Sequence, residues 1–119
     1  MSAPIRALTV VLAVAASVGA RGDGNVAGAY VFGHEVRSFQ PCGSSRIYWA
    51  KPVDPGISRL LRERHTELAV EPYGRIYVVV TGRPTEERPT GFAESYDGYF
   101  EISQVHRTAA GIPSGCGLD

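Results

Sequence analysis

The chain has 119 residues, with 12 Lys and Arg against 12 Asp and Glu, and 44% of its residues are hydrophobic. This length suits one domain rather than two, with a core of modest size. The balanced charge excludes the strongly basic surface on which electrostatic binding of nucleic acids and anionic lipids depends. We therefore expect no nucleic-acid partner.

Residues 1–20 have the pattern of a cleaved signal peptide. Arg6 precedes an uncharged, mostly apolar run that ends with Val18 and Ala20, at the third and first positions before the predicted cut. The alternative is a retained membrane anchor, but the run is short for a span and lacks a basic flank after it. We expect a bacterial periplasmic or secreted protein. No stable membrane anchor should remain after cleavage, because no cysteine near the cut could be lipidated.

After the signal, the sequence predicts a flexible Gly-rich leader over 21–27 and a single domain over 28–119. The domain should begin with one long, bent strand over 29–39, in which Gly33 marks a bulge. A turn over 41–45 then leads into a strand over 46–50.

A helix is the clearest local prediction. Asp54 is suited to accept hydrogen bonds from the free amides at a helix start, and Pro55 fits the first helical position. The pair Glu71-Pro72 should end the helix. Between this start and this end, apolar residues recur at helical spacing on one face. They are Ile57, Leu60, Leu61 and Leu68.

The strongest strand covers 75–81, where β-branched and aromatic residues run almost without interruption, so we expect it to be central and covered on both faces. A polar loop follows over 82–91. The turn signal Tyr96-Asp97-Gly98 precedes an alternating last strand over 99–105, and the tail after it is rich in Gly and Pro.

These elements predict a mainly β fold with one helix, most simply a small, partly open OB-like β-barrel. The alternative is an α+β fold in which an antiparallel sheet has the helix packed on one face. We favour the barrel because closure makes better use of so few apolar strands.

The two cysteines, Cys42 and Cys116, both lie in the exported part. In an oxidising compartment they are expected to form a structural disulfide that closes a long loop. A redox or metal site is the alternative, but the C-x-x-C spacing typical of such sites is absent.

The order of strands and turns also resembles a known family. The segment Gly28-Ala-Tyr30, the pair Pro41-Cys42, the strand over 76–81 followed by Gly82, and Tyr96-Asp97-Gly98 resemble the C-terminal OB-fold domain of the NlpE family of bacterial envelope lipoproteins. The resemblance covers most of 28–107. It implies an OB barrel in the envelope, in a family linked to surface adhesion and to signalling of copper or envelope stress.

The chain departs from that family in two respects. The C-x-x-C domain associated with copper is missing, and so is the lipidated cysteine. Copper sensing and membrane anchoring are therefore not implied, and no binding residue of the family can be transferred to this chain.

No residue pattern predicts catalysis or a metal site, so we expect no enzyme activity, no metal and no cofactor. His34, His65 and His106 lack the spacing of metal ligands. Glu86 and Glu87 are adjacent in the sequence, so we expect their carboxylates to point apart. They therefore do not form a paired general acid and base. Ser44 and Ser45 lie outside any recognised nucleophile motif and are explained by the turn.

Adjacent aromatic residues are the best candidates for binding. Tyr48 and Trp49 must point to opposite faces of their strand, and so must Tyr99 and Phe100. One member of each pair therefore lies outside the core, where it is either covered by the helix or the 82–91 loop or exposed as a binding patch. Without clustered basic residues, a glycan or an envelope protein is the expected partner.

We therefore expect an exported, non-enzymatic envelope protein that acts as a binding or interaction module. The alternative is an inhibitor of a secreted enzyme such as lysozyme. It would insert the 82–91 loop, with Glu86 and Glu87 at its tip, into the cleft of a basic enzyme. A hydrolase ranks last.

Overall fold

The computed structural model describes residues 24–118. The predicted signal peptide over 1–20 lies outside the described residues. Within them the chain forms five strands, one α-helix and two short 3-10 turns, at Gly91–Ala93 and Ser114–Cys116. The strands are β1 (Asn25–Gly33), β2 (Val36–Pro41), β3 (Tyr48–Pro52), β4 (Ile76–Pro84) and β5 (Tyr99–Ala109), and the helix is α1 (Pro55–Leu68).

The five strands form one mixed sheet that closes into a ring in the order β1, β2, β3, β5, β4, with β4 pairing back onto β1. All neighbours are antiparallel except β3 and β5, which are parallel. Parallel neighbours need a long crossover, and here α1 and β4 provide it. The prediction of a mainly β fold with one helix is confirmed.

The predicted single bent strand over 29–39 is wrong, because the segment forms two strands. β1 and β2 make an antiparallel hairpin in which Gly33 pairs with Val36, and His34 and Glu35 form the turn. Glu35 has a φ of 59°, a left-handed conformation that is uncommon outside glycine. Since the turn contains no Gly, Asn or Pro, its sequence carries no turn signal.

β1 also begins earlier than the predicted domain boundary at residue 28. The predicted flexible leader includes residues 25–27. In the structure these residues pair with residues 79–81 of β4. Pairing with β4 makes this segment part of a strand, although the Gly-rich composition of 21–27 predicts a flexible leader. Residues 21–23 of the predicted leader lie outside the described residues.

The helix matches its prediction. The Asp54 carboxylate accepts a hydrogen bond from the Ile57 amide at 2.9 Å, and Pro55 is the first helical residue. The helix ends at Leu68, shortly before Glu71-Pro72. It packs mainly against β5, with further contacts to β1 and β3, and Leu61 is fully buried in the core.

β4 lies between β1 and β5, but it is not covered on both faces as expected. Its residues alternate between buried and half-buried, so Ile76, Val78 and Val80 point into the ring while Tyr77 and Val79 face outward. In a closed ring every strand has an outer face, and one helix cannot cover all of them. β5 continues to Ala109, four residues beyond its predicted end, because it stays paired with β4.

A compact apolar core fills the ring. Phe39 and Phe100 lie at its centre, with ring centroids 4.7 Å apart. The other fully buried members are Tyr30, Ala50, Leu61, Ile76, Val78, Val80 and Ile102. The glycines allow close packing, since a Cβ on Gly82 would overlap the Glu101 carbonyl oxygen and the Phe100 ring.

The disulfide between Cys42 and Cys116 is present, as predicted, and the two cysteines are 74 residues apart. It ties the chain after β5 to the end of β2, and Cys116 is buried there. Among the described residues, no helix combines the length and the hydropathy that a membrane span requires.

Candidate binding face

The predicted alternation of the aromatic pairs is confirmed. Phe100 belongs to the core and is 2% exposed, and Tyr48 packs against it with ring centroids 5.5 Å apart. Trp49 and Tyr99 are half-buried and lie on the opposite, outer faces of β3 and β5. Of the four candidate rings, Trp49 and Tyr99 are therefore the two on the outer surface, whereas Phe100 is buried and Tyr48 is half-buried against the core.

Trp49 lies beside two aromatic residues from the connection between β4 and β5. Its ring meets Tyr96 edge-on, with centroids 5.4 Å apart, in the arrangement that aromatic pairs prefer. Trp49 and Phe92 both line a cleft of about 310 Å³, and Phe92 is 63% exposed. We call this cleft, with Tyr96 beside it, the aromatic cleft.

The other wall of the aromatic cleft is the β1–β2 turn. It contributes the segment from Gly33 to Arg37. The His34 imidazole and the Glu35 carboxylate lie 3.3 Å apart on this wall and are well exposed. An imidazole and a carboxylate, both able to form hydrogen bonds, therefore line the same cleft as the aromatic rings.

Tyr99 and the two loop carboxylates lie together further along the outer surface. The Lys51 ammonium group is 4.8 Å from the Tyr99 ring centroid and donates a hydrogen bond to Glu87 at 2.7 Å. This hydrogen bond raises the pKa of Lys51. Glu87 is thus paired, whereas Glu86 is exposed beside it.

The loop that carries these carboxylates is shorter than predicted, because 82–84 belong to β4. It is also fixed at both ends to Tyr99. The Thr85 amide donates to the Tyr99 carbonyl at 3.0 Å, and the Thr90 amide donates to the Tyr99 hydroxyl at 3.2 Å. The loop is therefore held against β5, with its tip directed to solvent.

The three histidines lie apart and have separate roles. His65 is 5% exposed, and its Nε2 lies 2.6 Å from the Gly74 carbonyl oxygen, so it links α1 to the start of β4. His106 Nε2 is 2.6 Å from the Thr81 hydroxyl on the outer face of the sheet. Within residues 24–118, no three His, Cys, Asp or Glu side chains come close enough to hold a metal ion.

Sequence reasoning missed three parts of the cleft: Phe92, Tyr96 and the β1–β2 turn. Phe92 and Tyr96 lie outside the strands, where strand alternation assigns no face. Their approach to Trp49 depends on the path of the β4–β5 connection. The hydrogen bonds that the Ile47 amide donates to the Asp97 carboxylate and that the Asp97 amide donates to the Ile47 carbonyl fix that path beside β3.

Comparison with known proteins gives no match. No family model, no curated protein and no solved structure matches the chain. The resemblance to the NlpE family stays a prediction.

Proposed function

We propose that this protein is an exported, non-enzymatic binding module with an OB-like fold, and that the aromatic cleft is its ligand site. The ring order β1, β2, β3, β5, β4 with a helix after β3 supports the OB-like assignment. OB folds bind ligands on the face of their second and third strands and with the loops after strands one and four.

One observation carries the proposal: the aromatic cleft is built from those same elements. The β1–β2 turn forms one wall, Trp49 of β3 forms the floor, and Phe92 from the β4–β5 connection forms the other wall. Three separate parts of the chain thus meet at one place, and two of them bring aromatic rings to it, although exposing Phe92 to water is unfavourable in the free protein.

The chemistry of the cleft favours a glycan. Flat rings offer stacking surfaces for sugar faces, while His34 and Glu35 offer hydrogen bonds to hydroxyl groups. A single-stranded nucleic acid also stacks on aromatic rings, but it needs a track of basic residues along its backbone. Lys51, the cation next to Tyr99, is already paired with Glu87.

The test uses Trp49, which is the only tryptophan in the sequence and so reports directly on the cleft. We expect titration with chitotetraose to change its fluorescence in a saturable manner. Phe92→Ala should weaken binding about tenfold, equivalent to about 1.4 kcal/mol. Val53→Ala is the matched control, because Val53 is 50% exposed and lies outside the cleft.

The absence of a fluorescence change at millimolar chitotetraose would refute the glycan assignment. Equal weakening by Phe92→Ala and Val53→Ala would refute the location of the site. A catalytic turnover of the glycan, seen as shorter products after long incubation, would refute the non-enzymatic assignment.

Export is supported by the signal-like residues 1–20 and by the disulfide, which persists in oxidising compartments. Mass spectrometry of the mature protein is expected to give a chain that starts at Arg21 and lacks two hydrogens because of the disulfide. An intact Met1 terminus with two free thiols would contradict export. The NlpE resemblance adds envelope residence to this proposal but no copper site.

A second candidate function, inhibition of a secreted enzyme, is favoured by the loop over 85–90. Because this loop is fixed at both ends, it would lose little conformational freedom on entering an enzyme cleft. Glu86→Lys should then weaken inhibition of hen lysozyme by slowing association. Glu87→Lys is a less clean variant because it also breaks the Lys51 ion pair. No inhibition by the unmodified protein would remove this candidate.

A further inference from the structure

We infer that a second site, a trough on the outer face of β1 and β2, binds a small amphipathic carboxylate such as the free carboxyl end of a short peptide. The trough has a volume of about 260 Å³ and shares no lining residue with the aromatic cleft, although the two are neighbours because Ser38 pairs with Trp49 across β2 and β3. Its lining consists of Ala29, Val31, Ser38, Gln40, Ile47 and Arg75.

Ser38 supplies a buried polar group inside the trough. Because Phe39 points into the core, strand alternation directs Ser38 to the outer face, yet Ser38 is only 9% exposed. Within residues 24–118 its hydroxyl group has no hydrogen-bond partner. A buried hydroxyl without a partner is unfavourable, so a ligand atom that bonds to it gains affinity.

Arg75 supplies the charge. It is exposed just before β4, and no acidic side chain in the described part of the chain pairs with it. Arg75 and Gln40 also line an adjoining cavity of about 370 Å³ next to the disulfide. Gln40 donates its amide hydrogen to the Ser44 carbonyl at 2.8 Å, which fixes the orientation of this side chain.

The floor of the trough is apolar. Ala29 is 3% exposed, Val31 is half-buried, and Ile47 is 39% exposed at the rim. A guanidinium group beside such a floor matches a planar carboxylate attached to a short apolar group, because arginine binds carboxylates through two parallel hydrogen bonds. Inorganic phosphate would leave the floor and its apolar contacts unused.

The small volume sets the size of the ligand. A cavity of this size lies below the usual range for drug-sized molecules, so a terminal residue with its neighbour is a suitable length. The carboxylate would lie on Arg75, the apolar side chain on Ala29 and Val31, and the preceding peptide group beside the Ser38 hydroxyl.

The test is an NMR titration of the mature protein with acetyl-Ala-Ala, followed through the backbone amide signals of Val31, Ser38 and Gln40. We expect saturable shifts at millimolar peptide. The peptide amide acetyl-Ala-Ala-NH₂, which has the same apolar groups but no charge, should bind at least about tenfold more weakly. Inorganic phosphate should also bind more weakly than the peptide.

Two variants and two controls locate the site. Arg75→Gln should weaken binding about tenfold and Ser38→Ala about threefold, whereas Arg46→Gln should have no effect. Arg46 is the matched control because it is an exposed arginine close in sequence to the trough but not part of its lining. Phe92→Ala should also have no effect, so this result is independent of the aromatic cleft.

The inference fails if acetyl-Ala-Ala causes no saturable shifts, if the free acid and the amide bind equally, or if phosphate binds as tightly as the peptide. It also fails if Arg75→Gln and Arg46→Gln have the same effect. Shifts confined to His34, Glu35 and Phe92 would likewise overturn it, because the peptide would then occupy the aromatic cleft.

Discussion

The inner and the outer face of the strand ring use the same residue types for different purposes. Inside, Phe39 and Phe100 are fully buried and hold the ring together by mutual packing. Outside, Trp49 and Phe92 remain accessible and line a cleft. Adjacent residues such as Tyr99 and Phe100 differ in role only through strand parity. On the strands, the register therefore decides which aromatic residues serve stability and which are available for binding, whereas Phe92 is placed by the β4–β5 connection.

Truncating the neighbouring rings Tyr99 and Phe100 on β5 should give the largest difference between the two faces. Phe100→Ala should lower the free energy of unfolding by about 4 kcal/mol, because it removes a buried ring and leaves a cavity between Phe39 and Tyr48. Tyr99→Ala should cost only about 1 kcal/mol, since it removes one hydrogen bond and partly exposed surface. Urea unfolding at neutral pH measures both.

If the two variants lose similar stability, the inner and outer faces do not differ as described. Phe100→Leu is a useful companion, because it keeps the site apolar and should recover part of the loss. If Phe100→Ala does not fold, the free energies of unfolding of Phe100→Leu and Tyr99→Ala can still be compared.

The disulfide stabilises the fold without contributing to the packing of the aromatic rings. Its removal in the double variant with Cys42→Ser and Cys116→Ser should lower the free energy of unfolding by roughly 4 kcal/mol, the chain-entropy value for a loop of 74 residues. Thermal unfolding of oxidised and double-variant protein measures this loss. An unchanged midpoint would mean that the core alone determines stability.

Much of the fold could be predicted because its signals are local. Asp54 and Pro55 mark the helix start by their own hydrogen-bonding and backbone preferences, and the cysteines mark their bridge through the redox chemistry of export. The β1–β2 turn could not be predicted. His34 and Glu35 have no intrinsic preference for it, and Glu35 takes a left-handed conformation only because Gly33 and Val36 pair.

The candidate site was predictable only in part, for the same reason. Strand parity identified Trp49 and Tyr99 as outward-facing through geometry that acts between adjacent residues. The neighbours of Trp49 depend on the route of the β4–β5 connection, which tertiary hydrogen bonds at Asp97 determine. Such long-range contacts leave no pattern in a single sequence, so Phe92 and Tyr96 could not be placed.

Tyr30 differs from the other inward-facing rings Phe39 and Phe100 because it carries a hydroxyl group. Tyr30 is 1% exposed, and burial raises its pKa from 10.0 to about 12, against smaller opposing effects of Arg37 and Arg62. Between these two pH values the unfolded chain loses the phenolic proton that the folded protein keeps. The contribution of this group to the free energy of unfolding is therefore fully present below pH 10 and is lost as the pH rises through 12.

At about pH 11 the loss should reach about 1.4 kcal/mol relative to neutral pH. Tyr30→Phe removes the ionising group. The free energy of unfolding of this variant, measured with urea, should therefore fall by about 1.4 kcal/mol less than that of the wild type between neutral pH and about pH 11. Tyr77→Phe, on the outer face of β4, is the control for loss of a tyrosine hydroxyl. Parallel pH profiles for the wild type and Tyr30→Phe would contradict the assigned burial effect.

The smallest stability effect is expected at Phe92. Its ring is 63% exposed and lies in a short 3-10 turn, so Phe92→Ala should change the free energy of unfolding by no more than about 0.5 kcal/mol. The same substitution should weaken ligand binding in the cleft about tenfold, as the titration measures. A residue that costs little in folding but much in binding is retained for its ligand. If Phe92→Ala instead destabilises the fold by several kcal/mol, Phe92 belongs to the structural set together with Phe39 and Phe100, and the aromatic cleft loses its clearest marker.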